Sequence, residues 1–244
     1  MDVMMKEDGY DTPYYGFNRG GQGMNIAYNM DCMEYMQTLQ DKAFELAIVD
    51  PMYGIGENGA RSGSRAKLAK RVDYKAVDDT PPDEKYFSEL FRVSKNQIIW
   101  GANHFIEAFC KNSSHWIVWD KVNGETNYAD CELAWTSFPY SVKKFQYMWA
   151  GMRQEKQGKN HQYRIHPCEK PIALYAWLLQ RYAQPGDKIL DTHLGSGSSR
   201  IAAYDLGFDF VGCEKDADYF KAQEARFQNH IAQGNLFVGG GGAI

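Results

Sequence analysis

Asp50-Pro51-Met52-Tyr53 closes the run Phe44-Glu45-Leu46-Ala47-Ile48-Val49, an apolar and partly β-branched stretch that reads as a buried strand. In open α/β sheets, ligands sit beyond the carboxyl ends of the strands, so this terminus is where reacting groups belong. Asp50 brings a carboxylate that only accepts hydrogen bonds, Pro51 leaves its carbonyl free while stiffening the turn, and Tyr53 brings a flat face. Together they suit a planar ring bearing an amine. Taken alone, the same residues are an ordinary Asp-Pro turn. A second strand, Lys188-Ile189-Leu190, ends at Asp191 and runs into Thr192-His193-Leu194-Gly195-Ser196-Gly197-Ser198, where glycines let the backbone approach a ligand closely. The following strand ends at Glu214, an acid placed to accept hydrogen bonds from ribose hydroxyls. A Gly-x-Gly-x-x-Gly dinucleotide pattern fails at Arg200, and no Gly-Lys-Ser/Thr phosphate cradle is present. A nucleoside without a pyrophosphate fits better, and S-adenosylmethionine is the common one.

The elements that would position these residues alternate between strand and helix. Asn25-Ile26-Ala27-Tyr28 reads as a strand, and Asp31 opens an amphipathic helix through Met33, Met36 and Leu39. After the strand ending at Asp50, the spacing predicts a helix capped by Thr80, with Tyr86, Phe87, Leu90, Phe91 and Val93 on its apolar side. Strands follow at 96–100, 116–119 and 131–135, with a short helix at 102–110. A helix at 171–182, the strand before Asp191, a helix at 198–206, a strand at 208–213 and a helix at 216–230 complete the pattern. This is an α/β fold with a mostly parallel sheet.

The 244 residues, 44% hydrophobic and 24% charged, are enough for one folded domain. Residues 1–23 lack periodicity and read as a flexible arm, 24–234 as the domain and 235–244 as a disordered tail. No apolar run reaches the length of a bilayer span, and Asp2, Glu7, Asp8 and Asp11 do not suit a signal peptide, so a cytoplasmic protein is expected. Five scattered cysteines without a C-x-x-C pair fit reduced thiols. His161, His166 and Cys168 lack an evident fourth ligand, and no metal is expected.

The net charge of −4 hides two basic segments. Residues 56–76 carry six basic side chains against two acidic ones, including Arg61, Arg65 and Lys67. Residues 141–170 carry seven against two, including Lys143, Lys144, Arg153, Lys156 and Arg164. In an acidic chain these fit one positive face toward phosphates, although two solvated loops would give the same counts. The second segment interleaves aromatics (Phe145, Tyr147, Trp149, Tyr163), which suits backbone contact and base stacking; the other reading is a β-excursion with aromatics packed inward.

Asp-Pro-Met-Tyr at 50–53, His166-Pro167-Cys168-Glu169-Lys170-Pro171, and Asp191 to Ser198, in that order, resemble the β group of amino-methylating DNA methyltransferases, whose catalytic Asp-Pro-Pro-Tyr precedes the cofactor motif. The resemblance covers residues 25–230. It implies a Rossmann-like methyltransferase fold, S-adenosylmethionine as cofactor and double-stranded DNA as partner, with a homodimer plausible and the cytosol of a bacterium or phage-infected host as its place. Asp50, the Pro51 carbonyl and Tyr53 would then be catalytic. Asp191, Leu194, Gly195, Ser196, Gly197 and Ser198 would hold the methionine part of the cofactor, Glu214 its ribose, and Asp31 and Cys32 the adenine side. Lys170 and Pro171 would close the pocket, with Asp50 beside it. The basic loop at 54–77 matches a loop that approaches DNA, and 138–165 a short target-recognition insertion. Asp at the first catalytic position leans toward adenine N6; cytosine N4 and a catalytically weak DNA-binding relative are the alternatives. Met52 departs from the family's second proline, and it neither locks φ nor removes an N–H.

Overall fold

The computed structural model describes residues 23–56, 77–109, 111–124, 129–150, 153–154 and 164–238. Among the described residues, ten strands and five α-helices follow one another. They are β1 (Asn25–Tyr28), α1 (Cys32–Gln37), β2 (Phe44–Val49), α2 (Glu84–Val93), β3 (Ser94–Trp100), β4 (Trp116–Asp120), β5 (Cys131–Thr136), β6 (Lys143–Gln146), β7 (Trp149–Ala150), β8 (Arg153–Gln154), α3 (Ile172–Tyr182), β9 (Lys188–Asp191), α4 (Ser198–Leu206), β10 (Asp209–Cys213) and α5 (Ala217–Val238).

Eight strands form one sheet in the order β1-β10-β9-β2-β3-β5-β4-β6, and β7 pairs with β8 separately. From β1 to β3 every pairing is parallel. β5 runs antiparallel to both β3 and β4, and β6 is parallel to β4. The chain leaves β9 toward β10 on one side, and leaves the neighbouring β2 toward β3 on the other. This point of diverging connections is where open α/β sheets form a crevice, and the two acid-ended strands of the sequence flank it.

Burial explains why the central strands read as nearly continuous apolar runs. Leu46 and Ile48 of β2 pack with Leu174, Leu178 and Ala202 under α3 and α4. Ala47 and Val49 face the other way, onto Met36, Phe87 and Leu90 of α1 and α2. Each layer removes large side chains from water, at about 25 cal/mol per Å² of apolar surface.

The structure corrects four local expectations. Thr80 does not cap α2: its hydroxyl donates to Asp78, and the Asp83 carboxylate accepts the Tyr86 N–H as the true cap. Residues that precede proline avoid helical geometry, which keeps Thr80 and Pro81 outside the helix. The predicted helix at 102–110 is two single 3₁₀ turns, Ala102–His104 and Ile106–Ala108. The last helix continues to Val238, so 235–238 belong to it rather than to a disordered tail.

The fourth correction concerns the insertion at 138–165. Residues Lys143–Gln146 are an edge strand of the main sheet. Phe138, Phe145 and Tyr147 pack on the core, and Trp149 is buried. The inward-packed reading therefore holds for these aromatics. Most of the stretch from 148 to 165 lies outside the described residues.

Candidate active site

A cavity of about 310 Å³ opens where β9 and β2 diverge. Of the residues expected around a cofactor, Asp31, Cys32, Asp50, Lys170, Leu194, Gly195, Ser196, Ser198 and Glu214 line it. Pro171, Asp191 and Gly197 do not. Pro171 is the N-cap residue of α3. Gly197 sits at φ +75° before α4, where Gln223 leaves little room for a side chain. Asp191 is turned behind the loop, where its carboxylate accepts from the His193 N–H at 3.0 Å and the Ser199 hydroxyl at 2.5 Å. Its role is to shape the loop.

The lining is strongly acidic. Asp31, Asp50, Asp78, Glu169, Glu214 and Asp216 face Lys170 and Lys215. His166 and His193 also line it, and burial depresses both to about 4, leaving them neutral at pH 7. Such a cavity favours a cationic ligand and opposes a pyrophosphate. Glu214 accepts the N–H groups of Gly195 and Asp216 on its two oxygens, which fixes its carboxylate and leaves lone pairs for ligand hydroxyls. Asp31 caps α1 through the Met33 N–H at 2.8 Å. Arg226 of α5 donates to the Ser196 carbonyl and lies 3.2 Å from Glu169, bracing the glycine loop against the segment before α3.

At the end of β2 the expected reacting groups converge. Tyr53 donates its hydroxyl to Asp50 Oδ1 at 2.7 Å, and Lys170 Nζ reaches Asp50 Oδ2 at 2.5 Å. Lys170 also lies 3.1 Å from the Tyr53 hydroxyl and 3.0 Å from Glu132. Pro51 is buried at the turn, and Met52 lines the cavity. The Tyr53 ring lies outside the lining, stacked on His104 at 5.1 Å and 16°. Burial raises the proton affinity of Asp50 against the pull of Lys170, and Glu132 raises it further. Burial opposes the charge on Lys170 too, but the two carboxylates hold it above the ordinary lysine range.

The stems of the basic loop are tied together beside the cavity. Asp79 accepts the N–H groups of Gly54 and Gly56, and Asp78 pairs with Lys215 at 2.9 Å. Thr80 and Lys215 hold Asp78 at about 2.

The residues expected to meet DNA are only partly accounted for. Arg61, Arg65, Lys67 and Lys156 lie outside the described residues, and Arg153 falls on β8. Arg164 packs over the Trp149 ring. Lys143 and Lys144 are corrected: β6 runs parallel to β4, so its first two residues pair with Ile117 and Val118 near the amino end of that strand. They lie on the edge away from Asp50, and Lys144 is paired with Asp120 at 3.6 Å. His166 and Cys168 reach the cavity, while His161 lies outside the described residues. Among the described residues no group of three or more His, Cys, Asp or Glu could hold a metal ion, and no helix is long and apolar enough to cross a membrane.

Sequence reasoning missed Glu132, Lys121, Gly101 and His104. Glu132 had a signal in Cys131-Glu132-Leu133-Ala134-Trp135: an acid inside an otherwise apolar strand. Its partner Lys121, in the turn after β4, had none.

Residues 44–225 match the model of the N6/N4 DNA methylase family. The chain belongs to this family of amino-methylating DNA methyltransferases. It is 21% identical to the type II methyltransferase M2.DpnII of Streptococcus pneumoniae, over 88% of this chain and 92% of that one. It is 22% identical to M2.MboI of Moraxella bovis, over 88% and 90%. Among solved structures, the fold resembles M1.HpyAVI in complex with SAM (TM-score 0.51, 20% identity, 83% of this chain and 100% of that one). It also resembles the cytosine-N4-specific PvuII DNA methyltransferase (TM-score 0.52, 10% identity, 90% and 96%).

The buried Asp191 carboxyl makes the electrostatics of the glycine loop measurable. Burial raises it from 3.8 to about 7, against the bonds from Ser199 and His193. The folded chain thus holds this proton more tightly than the unfolded one. The resulting stabilisation is complete below about pH 4 and is lost as pH rises through about 7. His166 and His193 work in the opposite sense over the same range, so the comparison must be made between variants. Asp191→Asn should gain on wild type by roughly 2–3 kcal/mol between pH 5 and pH 8. Denaturant melts of both proteins at the two pH values measure it, and parallel behaviour would refute the assigned shift.

Proposed function

We propose that this protein transfers the methyl group of S-adenosylmethionine to N6 of an adenine flipped out of duplex DNA. The observation that carries this reading is the acidic cavity opening directly beside Asp50. S-adenosylmethionine bears a sulfonium and an ammonium against one carboxylate, and its net positive charge complements the cavity. Glu214 is assigned to the ribose, Asp31 and Cys32 to the adenine side, and Leu194 to Ser198 to the methionine side. Solved neighbours include a SAM complex, which supports the same cofactor.

An exocyclic amine is a poor nucleophile because its lone pair is delocalised into the ring. Asp50 would accept one N–H and the Pro51 carbonyl the other, localising that pair toward the sulfonium methyl. The methyl is already electrophilic, so in-line positioning supplies much of the catalysis. Both oxygens of Asp50 are engaged before a base arrives. Each oxygen keeps a further lone pair, so the amine would be accepted at Oδ1 beside the Tyr53 hydroxyl, with the Tyr53 ring as the face on which the base stacks. Flipping costs about a few kcal/mol, which phosphate contacts from Arg61, Arg65, Lys67, Arg153, Lys156 and Arg164 would offset.

Asp50 as the first catalytic residue supports adenine. Expressing the protein in a methylation-deficient host and digesting the DNA to nucleosides tests the reading. N6-methyladenine is expected. N4-methylcytosine would overturn the choice of base, and unmodified DNA would overturn the activity.

A further inference from the structure

The Asp50–Lys170 contact belongs to a larger buried cluster. Lys170 lies between two carboxylates, with its Nζ 2.5 Å from Asp50 and 3.0 Å from Glu132. The far oxygen of Glu132 meets Lys121 Nζ at 2.5 Å. Side-chain exposures of 4% for Lys170, 12% for Asp50, 21% for Glu132 and 18% for Lys121 place all four largely out of water. Two anions and two cations alternate along this row, so the row is neutral as a whole. Neither Glu132 nor Lys121 lines the cofactor cavity.

The turn that carries Lys121 is strained. Val122 follows it at φ +48°, a left-handed conformation that a β-branched residue rarely adopts. Asp120 accepts the Val122 N–H at 3.0 Å, and the Lys121 N–H donates to the Asp130 carbonyl, which together hold the strained turn. Strain of this kind persists only where the surrounding structure over-determines it, as it does around functional groups.

We propose that Glu132, steadied by Lys121, is a positioning residue for methyl transfer: it shares Lys170 with Asp50, and so keeps Asp50 both oriented and basic enough to take the proton released by the methylated amine. This rests on the reading of the site as a methyltransferase centre. In the step itself, the nitrogen lone pair forms the N–CH₃ bond as the S–CH₃ bond breaks. The electrons of that bond pass to sulfur, which becomes a neutral thioether. The amine, now carrying one proton too many, gives it to the Asp50 carboxylate, and Asp50 returns it to water.

A lysine paired with Asp50 alone would pin that carboxylate in its charged form and make it a weak base. Glu132 divides the lysine's attraction and adds a negative charge nearby. Burial opposes the charge on Glu132, but Lys170 and Lys121 overcome it and hold the carboxyl at about 2. The two carboxylates are thus driven apart: Glu132 stays ionised, and Asp50 is the one raised toward proton uptake. The titratable groups within electrostatic reach of Asp50 are Lys170, Tyr53, Glu132 from β5, Tyr86 from α2, Tyr175 from α3 and Asp191 from β9. The tyrosines stay neutral at working pH, because burial pushes each of them up.

Glu132→Gln and Lys121→Met test the proposal with saturating S-adenosylmethionine and DNA. Glu132→Gln removes a negative charge, so it should lower kcat by about tenfold or more and move the acidic limb of the kcat–pH profile down by roughly one unit. Lys121→Met removes a positive charge and should move the same limb up. Cofactor affinity, read by titration, should stay within about twofold in both, since neither residue borders the cavity. Limbs that do not move, or that move in the same direction in both variants, would overturn the proposal. So would a loss of kcat matched by equal losses in cofactor affinity and melting temperature, which marks a merely structural residue. Wild-type transfer to DNA is the separate control. If it is absent, the function assignment fails and carries this proposal with it; if it is present with unmoved limbs, only the role of Glu132 fails.

Discussion

Replacing Asp50 with alanine is expected to lower methyl transfer to DNA by at least about a thousandfold, while S-adenosylmethionine binding stays measurable. The carboxylate sits at the end of β2, where it is the acceptor that would fix and sharpen the amine. No neighbour can replace it. Glu132 is committed elsewhere, one oxygen to Lys170 at 3.0 Å and the Tyr53 hydroxyl at 3.4 Å and the other to Lys121. The Tyr53 hydroxyl is a weak acceptor that already receives a contact from Lys170. Cofactor contacts are spread over many other lining residues, so losing one of them should weaken binding by no more than about tenfold. Deleting one partner of a buried ion pair can cost about 3–5 kcal/mol, which makes folding a necessary control. That cost is moderated here, because Lys170 keeps Glu132. Transfer of a labelled methyl group, a cofactor titration and a thermal melt on the same sample separate these effects. Near-wild-type turnover would remove Asp50 from the mechanism.

Much of the architecture was legible because its signals are local. Phe44 to Val49 read as a buried strand and is one, and Gly195 and Gly197 marked a tight turn after β9, where both sit at positive φ. The helix at 198–206 and the strand at 25–28 were legible to their ends, since glycine and short polar runs bound them. What escaped was decided over long range. β6 was invisible because four residues, Lys143-Lys144-Phe145-Gln146, show no alternation until β4 offers them an edge. Lys143 and Lys144 were accordingly assigned to a DNA-facing surface on charge alone, and pairing with Ile117 and Val118 puts them on the edge strand farthest along the sheet from Asp50. Glu132 is 82 residues from Asp50 in sequence and Lys170 is 120, so no window of the chain could reveal the row they form. Asp191 shows the converse limit. Its position at the end of β9 was read correctly, yet only the rotamer reveals that it bonds Ser199 and His193 and does not face the cavity.

Gly101→Ala is expected to lower kcat by about a hundredfold or more with cofactor affinity unchanged, although Gly101 touches neither cofactor nor base. Gly101 follows β3 at φ +67°, and a Cβ built there would fall 2.0 Å from Cε1 of Tyr53 and 2.4 Å from its Cδ1 and Cζ. Real contacts are never this short, so something must move. The backbone is held: the Gly101 N–H donates to the Leu133 carbonyl at 2.9 Å, and the Gly101 carbonyl accepts from His104 at 2.9 Å. Retreat of the ring is opposed by His104, stacked upon it. The ring must therefore leave its seat, which breaks the hydroxyl bond to Asp50 and removes the aromatic face assigned to the base. The left-handed backbone adds about 1–2 kcal/mol for any residue with a Cβ, so the melting temperature should also fall by several degrees. A double-mutant cycle separates the two costs. In a Tyr53→Ala background the clash is gone, and Gly101→Ala should then cost only the backbone strain, with no further loss of kcat. If Gly101→Ala kept wild-type kcat, the seat of Tyr53 against Gly101 would have no part in catalysis. If it lost the same activity with Tyr53 already removed, Gly101 would act by a route other than the ring.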